Sequence, residues 1–195
     1  MLTKKPKNEK TNMRKTITIL VIAMVTTLAY SQENMVSLNG GYVFANIEET
    51  DIDGSGFRIN GLYEFNAQGG KWAHGLSIGY VGFSGEGTEA LQTVTYDINS
   101  WPIYYAPKFL FGKENFKGFI KGAIGWQFSG IERTTALTIL SNNDSGFVGG
   151  GGAGALYFLS EKIFMSGEYE LLWMSNSYYR DGLINTASLG IGIRF

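Results

Sequence analysis

Four groups of residues in this 195-residue chain have types and spacings that could do chemistry. The first is His74 with Ser77. A serine nucleophile needs a base within hydrogen-bond reach, and His74 is the chain's one histidine. In an extended strand, residues three apart point to opposite faces, so these two do not meet. The expected role of His74 is a polar residue at an interface. The second group is Glu168 with Glu170. Two positions apart on a strand, they share a face with Cα atoms roughly 7 Å apart. Paired-carboxylate catalysis could use that spacing, and so could a structural pair inside a fold; the structural pair is the expectation. The third is Glu48, Glu49, Asp51 and Asp53, which could attract a divalent cation such as Ca²⁺. They do not follow EF-hand spacing, and a solvated acidic loop is expected. The fourth is the run Gly149–Gly152. It lacks the Lys-Ser/Thr ending of a phosphate loop, and no helical pattern follows it. Glycines in a strand instead allow close packing or curvature. A single histidine rules out a multi-histidine metal site. The absence of cysteine rules out disulfides, thiol chemistry and an acylated lipoprotein cysteine. No catalytic, cofactor or metal-binding residue is assigned, and the chain is not expected to be an enzyme.

The elements that position these residues are strands. Eight segments alternate apolar and polar residues between turn-forming stretches: Met35–Ala45, Gly56–Phe65, Lys71–Phe83, Gln92–Phe111, Phe116–Ile131, Gly146–Leu159, Lys162–Ser175 and Ile184–Phe195. In the last of them Leu189, Ile191, Ile193 and Phe195 fall on one face, and Ser188, Gly190, Gly192 and Arg194 on the other. The fourth segment slips phase between Val94, Tyr96, Ile98 and Trp101, Ile103, Tyr105. A bulge beside Pro102 would restore the facing and absorb the missing N–H. Connectors alternate in length: Asn66–Gly70, Gly112–Asn115 and Ser160–Glu161 are short, whereas Asn46–Ser55, Ser84–Leu91, Glu132–Asp144 and Asn176–Leu183 are longer and polar. Long-short parity with both ends on the short-turn side is the topology of an even-stranded outer-membrane barrel. The 27 glycines, the 14% aromatic content and the three prolines suit many tightly packed strands.

At the N-terminus, Lys4, Lys5, Lys7, Lys10, Arg14 and Lys15 precede an apolar run from Ile17 to Ala29, and Ala29-Tyr30-Ser31 supplies small residues for cleavage. The run is shorter than the ~20 apolar residues of a spanning helix. Residues 1–31 are therefore expected to be a signal peptide, with Met13 an alternative start, and residues 32–195 the barrel domain. The first 31 residues hold six of the 16 Lys and Arg and one of the 17 Asp and Glu, which leaves 10 basic and 16 acidic groups in the remainder. That balance of −6 provides no basic patch, so nucleic acid is not an expected partner.

A soluble lipid-binding barrel of lipocalin type would also need eight alternating strands. The polar face decides. It carries Ser37, Asn39, Gly41, Asn60, Gly75, Ser77, Gly79, Ala123, Gly125, Ser166, Ser188 and Gly192. Small groups suit an eight-stranded lumen that side chains fill, whereas a wet exterior would carry many long charged ones. On the apolar face, aromatics gather at both strand ends, with Trp72, Phe109, Phe111, Phe116, Tyr157 and Phe195 at the turn end. Phe44, Tyr80, Tyr96, Trp126, Phe128 and Trp173 are at the loop end. These read as two interfacial girdles. The enclosed charges then need partners. Arg58, Lys108, Lys117, Lys121 and Arg194 are candidate cations, and Glu64, Glu168 and Glu170 candidate anions. The expected network centres on Glu168 and Glu170 with Lys121 and Arg58, and Glu64 and Arg194 belong to the wider lumen set. Such a network would plug the lumen.

These features, with the glycine-rich stretch Gly152-Ala153-Gly154-Ala155-Leu156-Tyr157-Phe158-Leu159-Ser160 and the terminal Gly190-Ile191-Gly192-Ile193-Arg194-Phe195, resemble the small outer-membrane β-barrel domain family of the OmpA/OmpX transmembrane type. The expected fold is an all-β, eight-stranded, antiparallel, up-and-down transmembrane barrel behind a signal peptide. The resemblance implies that the last strand is read by the barrel-assembly machinery, with Leu189, Ile191, Ile193 and Phe195 as the signal. It does not imply cell-wall anchoring, because the peptidoglycan-binding domain of OmpA-type proteins has no counterpart here. The expected protein is a non-enzymatic, cofactor-free monomer of the bacterial outer membrane with a structural or envelope role. Its expected surroundings are outer-membrane lipid and lipopolysaccharide, and its loops are free to adhere to an unidentified ligand. A lipid-modifying barrel enzyme and a soluble lipid-binding β-barrel are the alternatives.

Overall fold

The strand alternation is realised around a full cylinder. A computed structural model describes residues 32–47, 52–67, 70–89, 92–113, 115–175 and 178–195. The expected signal peptide at 1–31, and Glu48, Glu49 and Asp51 of the acidic cluster, lie outside these residues. The eight strands are β1 (Gln32–Asn46), β2 (Asp53–Ala67), β3 (Trp72–Glu89), β4 (Gln92–Lys113), β5 (Phe116–Thr135), β6 (Ile139–Phe158), β7 (Ile163–Met174) and β8 (Leu183–Arg194). Each pairs with its sequence neighbours, and β1 closes on β8, giving a closed up-and-down barrel. The seam is antiparallel and runs from Met35 opposite Arg194 to Phe44 opposite Asn185. Closure leaves no edge along the wall, the condition under which strands can cross a bilayer with every backbone group paired.

Outward positions carry the bulky hydrophobes. Leu189 on β8 and Phe195 just beyond it are 72% and 62% exposed, and Ile191 and Ile193 alternate between them. Aromatic rings pair across strands in two belts. Trp72 meets Phe109 at 5.1 Å near the short turns. Near the loops, Tyr80 meets Trp101 at 4.9 Å and Phe147 meets Trp173 at 6.1 Å. Ser37, Asn39, Asn60, Ser77, Ser166 and Ser188 all point inward and are buried.

Two expectations are corrected. No bulge occurs between Ile98 and Trp101. β4 keeps one register with β3 and one with β5 along its whole length. Pro102 simply interrupts the ladder toward β3, where no pairing joins Gly79 and Tyr80 to Pro102 and Trp101. Because the alternation never slips, Val94, Tyr96 and Ile98 point into the barrel and are buried, and Tyr96 is not part of the outer girdle. The change of phase in the sequence marks a change in what the lumen contains. Second, two of the outer connectors are mostly strand. β3 runs to Glu89 and β4 begins at Gln92, while β5 and β6 leave only Ala136–Thr138 between them. Glu132 opposite Ser141 and Thr134 opposite Ile139 continue the ladder past the expected loop start. β-branched residues favour that pleated continuation. The outer side therefore has long hairpins at two of the four connectors read as longer polar loops.

Candidate functional site

The inner face holds the chemistry. Arg58 reaches in from β2, Tyr104 from β4, Lys121 from β5 and Glu168 and Glu170 from β7. Arg58 donates through one guanidinium nitrogen to Glu170 and through the other to the Tyr104 hydroxyl. The Tyr104 hydroxyl donates in turn to Glu170 Oε1 at 2.9 Å. Lys121 Nζ stands 2.9 Å from Glu168 Oε1 and 3.1 Å from Glu170 Oε1, so it bridges the two carboxylates. Ser188 donates to Glu168 at 3.5 Å. Every one of these groups is buried. An ion taken out of water is tolerated only when paired and hydrogen-bonded, and Glu170 gains three donors.

The register explains how a β5 lysine reaches β7. Lys121, Gly152 and Glu170 lie in one row across β5, β6 and β7. A Cβ at Gly152 would stand 2.5 Å from the Tyr169 carbonyl oxygen and 3.3 Å from the Glu170 Cβ. One row on, a Cβ at Gly154 would come within 2.6 Å of the Phe119 ring. The glycine run of strand six is a gap in the inner wall that lets cation and carboxylate meet over it. It is not a phosphate cradle.

Glu64 and Arg194 lie outside this cluster. Glu64 pairs with Lys108, whose Nζ stands 2.7 Å from Glu64 Oε1 and 4.3 Å over the Phe119 ring. Lys108 and Lys121 are direct cross-strand neighbours, so each lysine needs its own carboxylate. Arg194 sits at the turn-end rim. There it donates to the Glu161 carbonyl at 2.8 Å, lies 3.7 Å from Glu33, and covers the Phe158 ring at 5.0 Å. Lys117 covers the same ring at 5.4 Å. Tyr104 was not singled out from the sequence, although alternation with Trp101, Ile103 and Tyr105 already turned it inward.

Above the ionic layer, toward the loops, the lumen is mainly apolar, with Ser100, Gln127 and Ser129 buried among the hydrophobes. Val43, Val81, Phe83, Val94, Ile98, Val148, Leu172, Met174 and Ile184 form one buried cluster. Tyr178 and Tyr179 of the last outer connector reach down into it. Phe83 and Tyr179 meet edge to face at 5.6 Å, and the Tyr179 hydroxyl lies 3.2 Å from Ser100 Oγ. A smaller apolar cluster around Leu110, Phe119, Leu156 and Phe164 closes the turn end.

The remaining candidates sit elsewhere. His74 is on the outer wall, stacked on Phe65 at 5.1 Å, with its Nδ1 hydrogen-bonded to the Tyr105 hydroxyl. Its cross-strand neighbours are Phe65 and Pro107. Ser77 points inward to Asn60, which donates to it at 3.3 Å. Among the described residues, no group of three or more His, Cys, Asp or Glu gathers in a way that could hold a metal. The described site thus consists of paired ions joined by the hydroxyls of Tyr104 and Ser188.

The match to known proteins follows this geometry. Residues 17–195 match the model of the outer membrane protein beta-barrel domain. No curated protein sequence matches the chain. Neisserial surface protein A superimposes with a TM-score of 0.60 at 10% identity, over 83% of this chain and 97% of that one. The attachment invasion locus protein Ail of Yersinia pestis gives 0.55 at 18%, over 85% and 99%. A major outer membrane protein of Thermus thermophilus gives 0.63 at 10%, over 85% and 100%. At such identities the structural likeness carries the fold, and the domain match carries the family. The chain belongs to the outer membrane protein beta-barrel domain family and is an eight-stranded barrel protein of the bacterial outer membrane.

Proposed function

We propose that the protein is a non-enzymatic, monomeric envelope barrel with a plugged lumen, whose outer hairpins and loops carry any adhesive role. The observation that carries this reading is the interlock of Arg58, Tyr104, Lys121, Glu168 and Glu170 beneath a packed, mainly apolar layer. Ion passage would require breaking buried pairs and wetting that layer, and both steps are costly. His74 and Ser77 face opposite sides of the wall, so the histidine cannot activate that serine. The adhesive role draws support from the names of two structural neighbours, a surface protein and an attachment invasion protein. On this reading residues 1–31 are removed, and Leu189, Ile191, Ile193 and Phe195 form the assembly signal on the last strand.

The test is single-channel recording in planar bilayers on barrel whose gel mobility shifts on boiling. Wild-type protein is expected to show no stable conductance steps. Steady open-channel steps from wild-type protein would end the plugged-lumen reading. Intact mass of the protein recovered from membranes is expected to begin at Gln32.

A further inference from the structure

The outer wall of β4, β5 and β6 changes character over two rows. Antiparallel register places Trp101 opposite Phe128 in the lower row. The next row toward the outside is Asn99, Gly130 and Asn143, side by side across the three strands. The row beyond it pairs Asp97 with Glu132. The wall thus passes from aromatic, to amide, to acid within a few residues of the loop-end girdle. Two of these rows frame a cleft of about 640 Å³, lined by Asn99, Trp101, Phe128, Gly130 and Asn143 among others.

The cleft is built, not incidental. Tyr80 supports both of its β4 members: its ring packs on Trp101 at 4.9 Å, and its hydroxyl donates to Asn99 Oδ1. That bond leaves the Asn99 amide N–H groups as the available donors. Gly130 supplies the floor. A Cβ there would stand 2.8 Å from Asn143 Oδ1, so any side chain would crowd the second amide and fill the space.

We infer that this cleft binds the uncharged sugar headgroup of an outer-leaflet glycolipid. The inference rests on the membrane-barrel reading above. A pyranose ring has an apolar C–H face and a hydroxyl edge. Exposed aromatic faces suit the first, as amphipathic aromatics do at bilayer interfaces. Paired amides, offering both donors and acceptors, suit the second. Charge excludes the alternative. The lining residues include the acid Asp144 but no Lys, Arg or His, and Asp97 and Glu132 stand exposed in the row above. A phosphate headgroup would meet repulsion with no cation to offset it. Position selects the source: the lower wall belongs to the lipid-facing aromatic belt, so a headgroup tethered to acyl chains arrives at the cleft already oriented.

The experiment uses the barrel in nanodiscs doped with equal amounts of digalactosyl diacylglycerol and phosphatidylglycerol of matched chains. Lipid retained after ejection is read by native mass spectrometry. Wild-type protein is expected to retain the galactolipid preferentially. Asn99→Ala with Asn143→Ala should cut the preference about tenfold, as expected for two lost hydrogen bonds, and Gly130→Val should cut it by filling the floor. Equal retention of both lipids by wild-type protein, or a preference untouched by the double variant, overturns the proposal. Competition by free digalactose at the galactolipid's concentration overturns the membrane source. The boiling-dependent gel shift is recorded on the same samples. Its presence without lipid preference rejects the cleft alone, and its absence from wild-type protein rejects the barrel reading instead.

Discussion

The ionic layer and the loop-end apolar layer of the lumen are walled by the same strands, yet they obey opposite rules. In the ionic layer, Arg58, Lys121, Glu168 and Glu170 are all buried, and each makes sense only with its partners. In the apolar layer Ile98, Leu172 and Met174 are equally buried and need only matching volume. On the outside, bulky hydrophobes run up the wall from the ionic height, since lipid accepts any of them, until Asn99, Asn143, Asp97 and Glu132 mark the outer end of β4, β5 and β6. A small barrel thus has two independent problems. The outside is solved by one repeated pattern, and the inside by whatever satisfies itself. The comparison teaches that alternation identifies a wall, while the filling has to be read layer by layer.

The sharpest way to break the comparison is to remove the anions. Glu168→Ala with Glu170→Ala strands Lys121 and Arg58 in the lumen. Breaking a buried pair by removing one partner costs about 3–5 kcal/mol, and the double variant should lose at least that. Equilibrium urea unfolding in lipid vesicles, followed by tryptophan fluorescence, measures it. Glu170→Ala alone should cost more than Glu168→Ala, because Glu170 takes donors from Arg58, Tyr104 and Lys121. An unchanged midpoint for the double variant would show that water already solvates these groups.

The apolar layer should respond in kind but less. Ile98→Ala is expected to cost about 2–4 kcal/mol, the range for emptying a packed site. A lipid-facing isoleucine would lose far less, because acyl chains refill the space. The same position also reports facing directly. The chain has no cysteine, so Ile98→Cys and Trp101→Cys each carry one thiol. A membrane-permeant maleimide should label position 101 and spare position 98. Labelling of both would restore the bulge that the register denies.

Most of the wall was legible in the sequence, because its physics is local. Alternation with period two puts Leu189, Ile191, Ile193 and Phe195 on one side whatever they pair with. The filling was harder, because it depends on register. Nothing in the sequence says that Lys108 lies beside Lys121, or that Gly152 separates Lys121 from Glu170. On β4 the difference has a specific cause: apolar type alone sends Val94, Tyr96 and Ile98 to lipid, whereas their register turns them inward. In a closed barrel under capping tyrosines, the inside can be just as dry. Tyr178 and Tyr179 seal that layer from a connector whose sequence reads as loop. The long β5–β6 hairpin was missed for a related reason, since Glu132, Arg133 and Thr134 look like loop residues to a polarity count although their pairing is strand-like.

His74 sets the lower bound of the comparison. It lies on the outer wall between the rings of Phe65 and Tyr105, at the turn end of β3 where polar aromatics favour a bilayer interface. Unlike Glu170, it shares its environment with water and headgroups, so replacing it strands no buried ion. His74→Phe keeps the ring stack and deletes only the contact to the Tyr105 hydroxyl, which can turn to water or headgroup instead. The expected change is within about 0.5 kcal/mol, the usual range for surface substitutions, measured by the same urea titration. A loss above about 1.4 kcal/mol, a tenfold change in the folding equilibrium, would mean that the turn-end surface also carries obligatory polar pairs, and the division between a tolerant outside and a demanding inside would no longer hold.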